Sequence, residues 1–256
     1  MNEEFKEHIT KSLTQNMRLD GRKNDEFRKI TIETGVSKTA EGSARVICGD
    51  TEVMAGVKLA LGTPYPDTPN DGVLSTNTEL LPMSNPNYES GPPKIESIEI
   101  ARVIDRGIRE GKAMDTKKLC VEAGEKVWMV SLDVIPINMD GNLLDLGALA
   151  CMAALKNAKF PEVKDGKADY KHLSKKGLPL LETPIEVTVV KIGENFIVDP
   201  TEDEESVLDS RLTVAVLESG NLCALQKGGD KPLTAEEVDK MVELAIKKSK
   251  ELRKLL

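Results

Sequence analysis

Residues 142–158 read NLLDLGALACMAALKNA, and they decide how the rest of the chain is organised. The stretch is apolar on nearly every side of a helix, which describes a helix buried on all faces and not one lying at the surface. A buried helix needs sheets or helices around it, and both flanks supply them. Upstream, residues 126–137 carry Val127, Met129, Leu132, Val134 and Ile135 as a strand. Downstream, strands are predicted at 184–192, 195–199, 211–218 and 221–226. A long helix follows from 235, opened by a Thr234/Glu237 capping box.

Further upstream, residues 2–14 form an amphipathic helix with Phe5, Ile9 and Leu13 four apart. Arg18-Leu19-Asp20-Gly21-Arg22 ends it in a turn-prone Asp-Gly. Ile30 and Ile32 alternate within a strand at 27–34. Ala44, Val46 and Cys48, then Val53, Ala55, Val57 and Leu59, alternate on either side of Gly49-Asp50, which predicts a hairpin. A further strand is expected at 73–81 and a helix at 95–112. The loops at 62–72 and 82–93 are rich in proline, and the sequence assigns them no role.

The expected class is α/β (α+β), with residues 1–26 as a helix and extended arm. A first lobe spans 27–162, a polar lysine-rich linker 163–183, and a second lobe 184–256. Each half runs strands first and a helix afterwards, so a weak internal duplication is plausible without any residue-level repeat.

Composition narrows the function. Hydrophobic residues make up 39% and charged residues 30%, which suits a globular chain. Aromatics are only 3%, which argues against a base-stacking platform built on Phe, Tyr and Trp rings. The net charge of −8 repels nucleic acid as a whole, so any such partner needs a local basic face or a basic neighbour. Cys48, Cys120, Cys151 and Cys223 have no metal-binding spacing, and neither His8 nor His172 has a triad partner; both histidines read as surface groups. No metal or cofactor is expected. Unpaired thiols, the lack of a signal-like start and the lack of a long apolar run predict a cytoplasmic chain with no membrane partner. Phosphate-binding glycine loops, dinucleotide turns, zincin helices and hydrolase elbows are missing.

Three clusters carry the remaining information. Arg102, Arg106 and Arg109 fall within an arc of roughly 60° on a helix, opposite Ile100, Ala101, Ile104 and Ile108. Guanidinium groups suit bidentate phosphate contacts. Spacing alone, with Asp105 and Glu110 nearby, fits a solvated face with local ion pairs better. Asp140-Gly141-Asn142-Leu143-Leu144 opens the buried helix. A helix N-terminus can hold phosphate, but Leu143 and Leu144 occupy the first turn and Asp140 or Asn142 can simply cap it. The run from Asp199 to Glu205 holds enough carboxylates for Mg²⁺ or general acid work. It reads more readily as a solvated loop.

Taken in order, these segments resemble the ribonuclease PH family, over nearly the whole chain. The match rests on Arg18-Leu19-Asp20-Gly21-Arg22, on Gly42-Ser43-Ala44 followed by Gly49-Asp50-Thr51 and Val53, on Asp140-Gly141 through Phe160-Pro161, and on Val198-Asp199-Pro200-Thr201 with Glu204-Glu205. Within the family the chain is most similar to the non-catalytic ring subunits of the archaeal exosome. The resemblance implies two βαβα-type lobes with sheets covered by helices. It implies phosphorolytic 3′-end shortening of RNA in active members, where preorganised charge stabilises the transferring phosphoryl group.

The pattern departs where that chemistry lies. Active members carry Gly-[Ser/Thr]-Arg after the Asp-Gly, and here those positions are Asn142, Leu143 and Leu144. Arginines ahead of the Arg102 helix are replaced by Glu96 and Ser97, with none between Arg45 and Arg102. Asp199 matches one family carboxylate, and Glu205 stands one methylene longer for the second. The arginine trio does match, which turns the reading of Arg102, Arg106 and Arg109 to RNA contact. By the resemblance the partners are single-stranded RNA, a catalytic ribonuclease PH-like chain in a hexameric ring of three heterodimers, and RNA-binding cap proteins.

Overall fold

Alternation builds the first sheet. The computed structural model describes residues 3–164 and 167–256. Strands β1 (Ile30–Thr34), β2 (Gly42–Cys48), β3 (Thr51–Gly62), β4 (Val73–Thr78), β5 (Cys120–Glu122) and β6 (Lys126–Asn138) form six strands in the order β1-β2-β3-β6-β4, with β5 also on β6. Val46 opposes Val53 and Cys48 opposes Thr51, so the turn falls at Gly49-Asp50. Ala44, Val46, Cys48, Val53, Ala55, Val57 and Leu59 all point into the core. β4 lies parallel to β6, and helix α2 (Ile95–Glu110) makes the crossover between them.

The second sheet is antiparallel throughout. Its strands β9 (Ile185–Ile192), β10 (Asn195–Val198), β11 (Ser210–Val216) and β12 (Leu222–Gly228) lie in the order β10-β9-β11-β12. Helix α3 (Leu143–Asn157) sits between the two sheets, touching β2 and β3 on one side and β9 on the other. Every residue from Leu143 to Leu155 is buried, as its all-round apolar sequence requires. Each buried leucine of α3 contributes roughly 1.5–3 kcal/mol relative to exposure. One continuous apolar cluster runs from Val46 and Leu132 through α3 to Val189 and Val214, so the two sheets share a core.

Helix α5 (Ala235–Arg253) packs on β9 and β11, and its Thr234/Glu237 capping box is formed. Helix α1 (Glu3–Thr14) lays Ile9 and Leu13 against Val190, Ile192 and Ile197, and Lys6 pairs with Asp209. Asn2, the first residue of that expected helix, lies outside the described residues.

The stretch expected as a linker is mostly strand. β7 (Lys159–Lys164) and β8 (Lys167–Gly177) pair antiparallel as a two-stranded ribbon. Residues 165–166 of the expected linker lie outside the described residues. Phe160 and Pro161 of β7 are buried, Phe160 against Trp128, but β8 escapes a pattern reading because Lys171, Leu173, Lys175 and Lys176 are all exposed, so little selects an alternation of apolar and polar residues along it.

Candidate functional site

Helix α2 divides as its sequence dictates. Ile100, Ile104 and Ile108 are buried, whereas Arg102, Arg106 and Arg109 are exposed along one outward face. Arg106 donates Nη1–H to Oε1 of Gln226 on β12, 3.0 Å away. Arg109 pairs with Asp105 and Glu110, each at 3.1 Å. The Arg102 side chain makes no hydrogen bond or ion pair among the described residues. The local ion pairs expected from spacing are therefore real for Arg109 alone. Exposed pairs of this kind are worth only about 0.2–1 kcal/mol, so a phosphate can displace them.

The turn into α3 builds a second feature. Gly141 adopts φ +79°, and a Cβ there would meet the Pro200 carbonyl oxygen at 2.3 Å, so the 140s turn abuts the acidic segment only because the residue is glycine. Asn142 occupies the N-cap position at φ +60° but does not cap with its side chain. Its Nδ2 donates to Asp199 Oδ1 at 2.8 Å, and its backbone N–H donates to Glu205 Oε1 at 2.8 Å.

Beside that turn lies a cleft of about 280 Å³, whose lining includes Leu143, Leu144, Glu96, Glu99, Glu205 and Arg211. Its one arginine is already engaged, Nη2 lying 2.7 Å from Glu99 Oε1. Burial pushes the Glu205 carboxyl up to about 7, and Glu96 adds to the effect against the pull of the Asn142 N–H, Arg211 and Arg28. A dianion entering this cleft meets leucine surface, the carboxylates of Glu96 and Glu99 and the carboxyl of Glu205, against one committed guanidinium.

Asp199 does not join Glu205 as an open acidic pair. It is fully buried at φ +49° and ringed by donors. Arg28 reaches it through Nε at 2.9 Å, Nη2 at 2.8 Å and its backbone N–H at 2.8 Å, and Arg22 Nη1 lies 2.7 Å away. Despite burial, these arginines hold the carboxyl below its ordinary range. The expected solvated loop is a structural knot. Thr201 and Glu204 form the capping box of the short helix α4 (Glu202–Ser206), and buried Glu204 pairs with wholly buried Arg18. Among the described residues no group of three histidine, cysteine, aspartate or glutamate side chains is placed to hold a metal ion.

Three arginines were thus undervalued in the sequence. Arg18 and Arg22 were visible as a motif without a task, and Arg28 went unremarked. Their partners lie more than 170 residues away in the chain, beyond any local pattern. Two buried acids were also missed, although Asp145 in an otherwise apolar helix and Glu186 in an alternating strand are visible oddities. Asp145 accepts the Thr188 N–H at 2.7 Å through one oxygen, and its other oxygen has no partner among the described residues. Neither Glu186 oxygen has one either. Burial drives Asp145 up to about 8, with Asp199 and Glu205 adding to the rise, and burial with the nearby Asp145 drives Glu186 well above the usual carboxylate range.

These acids fix the sign of a pH effect. The folded chain keeps protons that the unfolded chain releases from about pH 4 upward, so stability falls as pH rises from about 4 towards 8. Each such proton contributes a slope of about 1.4 kcal/mol per pH unit. Glu186→Gln is expected to flatten that decline, read as the urea midpoint at pH 5, 6, 7 and 8. An unchanged slope would show that Glu186 is ionised in the fold.

Known proteins resemble this chain over both of its lobes. The profile for the 3′ exoribonuclease family, domain 1, matches residues 26–161, and that for domain 2 matches residues 182–248. A protein of Methanocella arvoryzae described as "Exosome complex component Rrp42" is 48% identical over 252 residues, covering 98% of this chain and 95% of the relative. Two solved structures are similar over 98% of the chain. One is described as the Archaeoglobus fulgidus exosome with RNA bound to the active site, at 43% identity, TM-score 0.90 and 97% coverage of that chain. The other, described as an archaeal exosome core, shows 42% identity, TM-score 0.86 and 95% coverage.

Proposed function

The chain belongs to the 3′ exoribonuclease (ribonuclease PH) family, and from that membership we propose that it is a non-catalytic, RNA-contacting subunit of an exosome core of the archaeal kind. The relatives named as exosome components and the similar chains in exosome structures support the assembly. The proposal includes a hexameric ring of alternating catalytic and non-catalytic chains, three of each, with RNA-binding cap proteins above it and a cytoplasmic place of work. In that ring this chain shapes its neighbour's active site and holds RNA phosphates on the α2 arginine face.

One observation carries the catalytic silence: the cleft at the start of α3 offers an attacking phosphate no uncommitted cation. Leu143 and Leu144 stand where a hydroxyl and a guanidinium are needed, and burying a polar or charged group against apolar surface without replacement donors is costly. Glu96 and Glu99 on α2 add repulsion. Asp199, matching one of the family's acidic positions, is consumed by Arg22 and Arg28.

The purified chain, given RNA, inorganic phosphate and Mg²⁺, is expected to release no nucleoside diphosphate. Adding the catalytic ring partner is expected to give release faster than the partner achieves without this chain. Turnover by this chain alone, lost on Glu205→Gln, would overturn the proposal.

A further inference from the structure

The loop at 62–72 and the end of α2 together form a groove that the arginine face does not account for. Its volume is about 610 Å³, and it runs between Tyr65 on the loop and Arg109 on the helix. Lys112 and Lys117 line it with Arg109, and Met114 and Leu74 are among its apolar lining. The loop is held in place: Tyr65 O accepts from Thr68 N at 3.1 Å, Gly72 N donates to Thr116 O at 2.9 Å, and Pro69 O accepts from Gly124 N at 2.8 Å.

The structure assigns this groove to one nucleotide of single-stranded RNA, its base on the Tyr65 ring and its phosphate on Arg109 and Lys112. The inference rests on the RNA-contacting role proposed above and extends it beyond the α2 face.

Four observations converge. Tyr65 is 60% exposed, an open ring on an anchored loop in a chain with few aromatics. One ring is not a platform, but one base needs only one, and stacking tolerates any base. Second, the groove is continuous with the arginine face, because Arg109 belongs to both.

Third, Lys112 is held in a conformation glycine would fill more easily. Helix α2 closes with Ala113 N donating to Ile108 O and Lys112 N to Arg109 O, each at 3.0 Å. That pairing places the residue after Gly111 in the left-handed region, where glycine is the usual occupant, yet Lys112 stands there at φ +48°. Left-handed non-glycine residues cluster at functional sites, and the Lys112 side chain is exposed and lines the groove.

Fourth, Asp71, itself half-buried, and Asp115 line the groove. A carboxylate repels a phosphate, but it accepts from a ribose hydroxyl or a base amino group. Three cations, two carboxylates and an open ring suit a nucleotide, which brings an anionic phosphate together with hydroxyl and amino donors and a stacking face, better than an acidic peptide.

The test uses the assembled ring and a fluorescently labelled oligoadenylate, with anisotropy read over a range of salt. Tyr65→Ala is expected to weaken binding roughly fivefold or more at every salt concentration, with the salt slope unchanged, because a base contact is lost and no phosphate contact. Tyr65→Phe is expected to bind as the parent does. Lys112→Gly is expected to weaken binding and lower the salt slope by roughly 0.7, while the melting midpoint stays level or rises. A lysine kept only for the fold would give the opposite pattern. If Tyr65→Ala and Lys112→Gly both bind like the parent while the α2 arginine variants bind weakly, the groove inference is wrong and the ring role stands. If no variant of either set changes binding, both fall.

Discussion

Arg18→Met is expected to lower folding stability by about 3–5 kcal/mol, the usual loss when one partner of a buried ion pair is removed. The Arg18 side chain is wholly buried, and Glu204 is 3% exposed. Arg18 donates Nε–H to Glu204 Oε1 at 2.8 Å and makes a second contact to Oε2. It also donates to the carbonyls of Val198 at 2.8 Å and Asp199 at 2.7 Å. Methionine fills the volume and supplies none of those donors. Glu204 keeps the Thr201 N–H at 2.9 Å, which does not neutralise it. The test is the urea midpoint at constant m-value, since a changed m would signal a different unfolded or native compactness. Glu204→Gln in the Arg18→Met background is expected to recover part of the loss, because the orphaned charge is then gone. A single-variant loss below about 1 kcal/mol would mean that the extended arm is held elsewhere and that the Arg18 contacts are incidental.

That clasp also shows where the sequence stops being readable. Local periods were enough for α2, α3, the β2–β3 hairpin and the α5 capping box, because each is set by residues within a few positions of one another. The isoleucine and arginine faces of α2 were legible for the same reason. The Arg18–Glu204 and Arg28–Asp199 pairs span 186 and 171 residues. Nothing nearby in the chain announces them, so the motif at 18–22 was recognisable without its mechanics. The acidic segment misled because a run of carboxylates looks solvated until its cations are found. The β7–β8 ribbon misled in the opposite sense: β8 is largely exposed, and along such a stretch a strand and a linker look alike. Asn142 was expected as a possible cap, but its amide is drawn off by Asp199, which only the fold brings within reach. The apolar start of α3 was the most legible part of the cleft, since Leu143 and Leu144 are adjacent in the chain, whereas Arg211 and its Glu99 partner reach the cleft only through the fold.

Replacing Arg102, Arg106 and Arg109 together by alanine is expected to weaken RNA binding by the assembled ring about a hundredfold near 0.1 M salt. The figure follows from counterion release: each single-strand phosphate contact contributes a salt slope of roughly 0.7, so three contribute about 2. The loss should shrink as salt rises, and the slope itself should drop by that amount. Folding should be nearly untouched, because all three side chains are exposed and the pairs of Arg109 with Asp105 and Glu110 are surface pairs.

The single variants should not be equal. Arg102 has no competing partner among the described residues, so its guanidinium meets RNA without first leaving another contact, and Arg102→Ala should show the largest single loss. Arg106 must give up one neutral hydrogen bond to Gln226. Arg109 must leave two carboxylates, so Arg109→Ala should lose least, and Asp105→Asn should tighten binding by freeing it. A triple variant that keeps the parent's salt slope would show that the face carries no phosphate contacts and that the chain serves the ring as scaffold alone. An Asp105→Asn variant that binds more weakly would show that Asp105 orients Arg109 for RNA and does not compete with it.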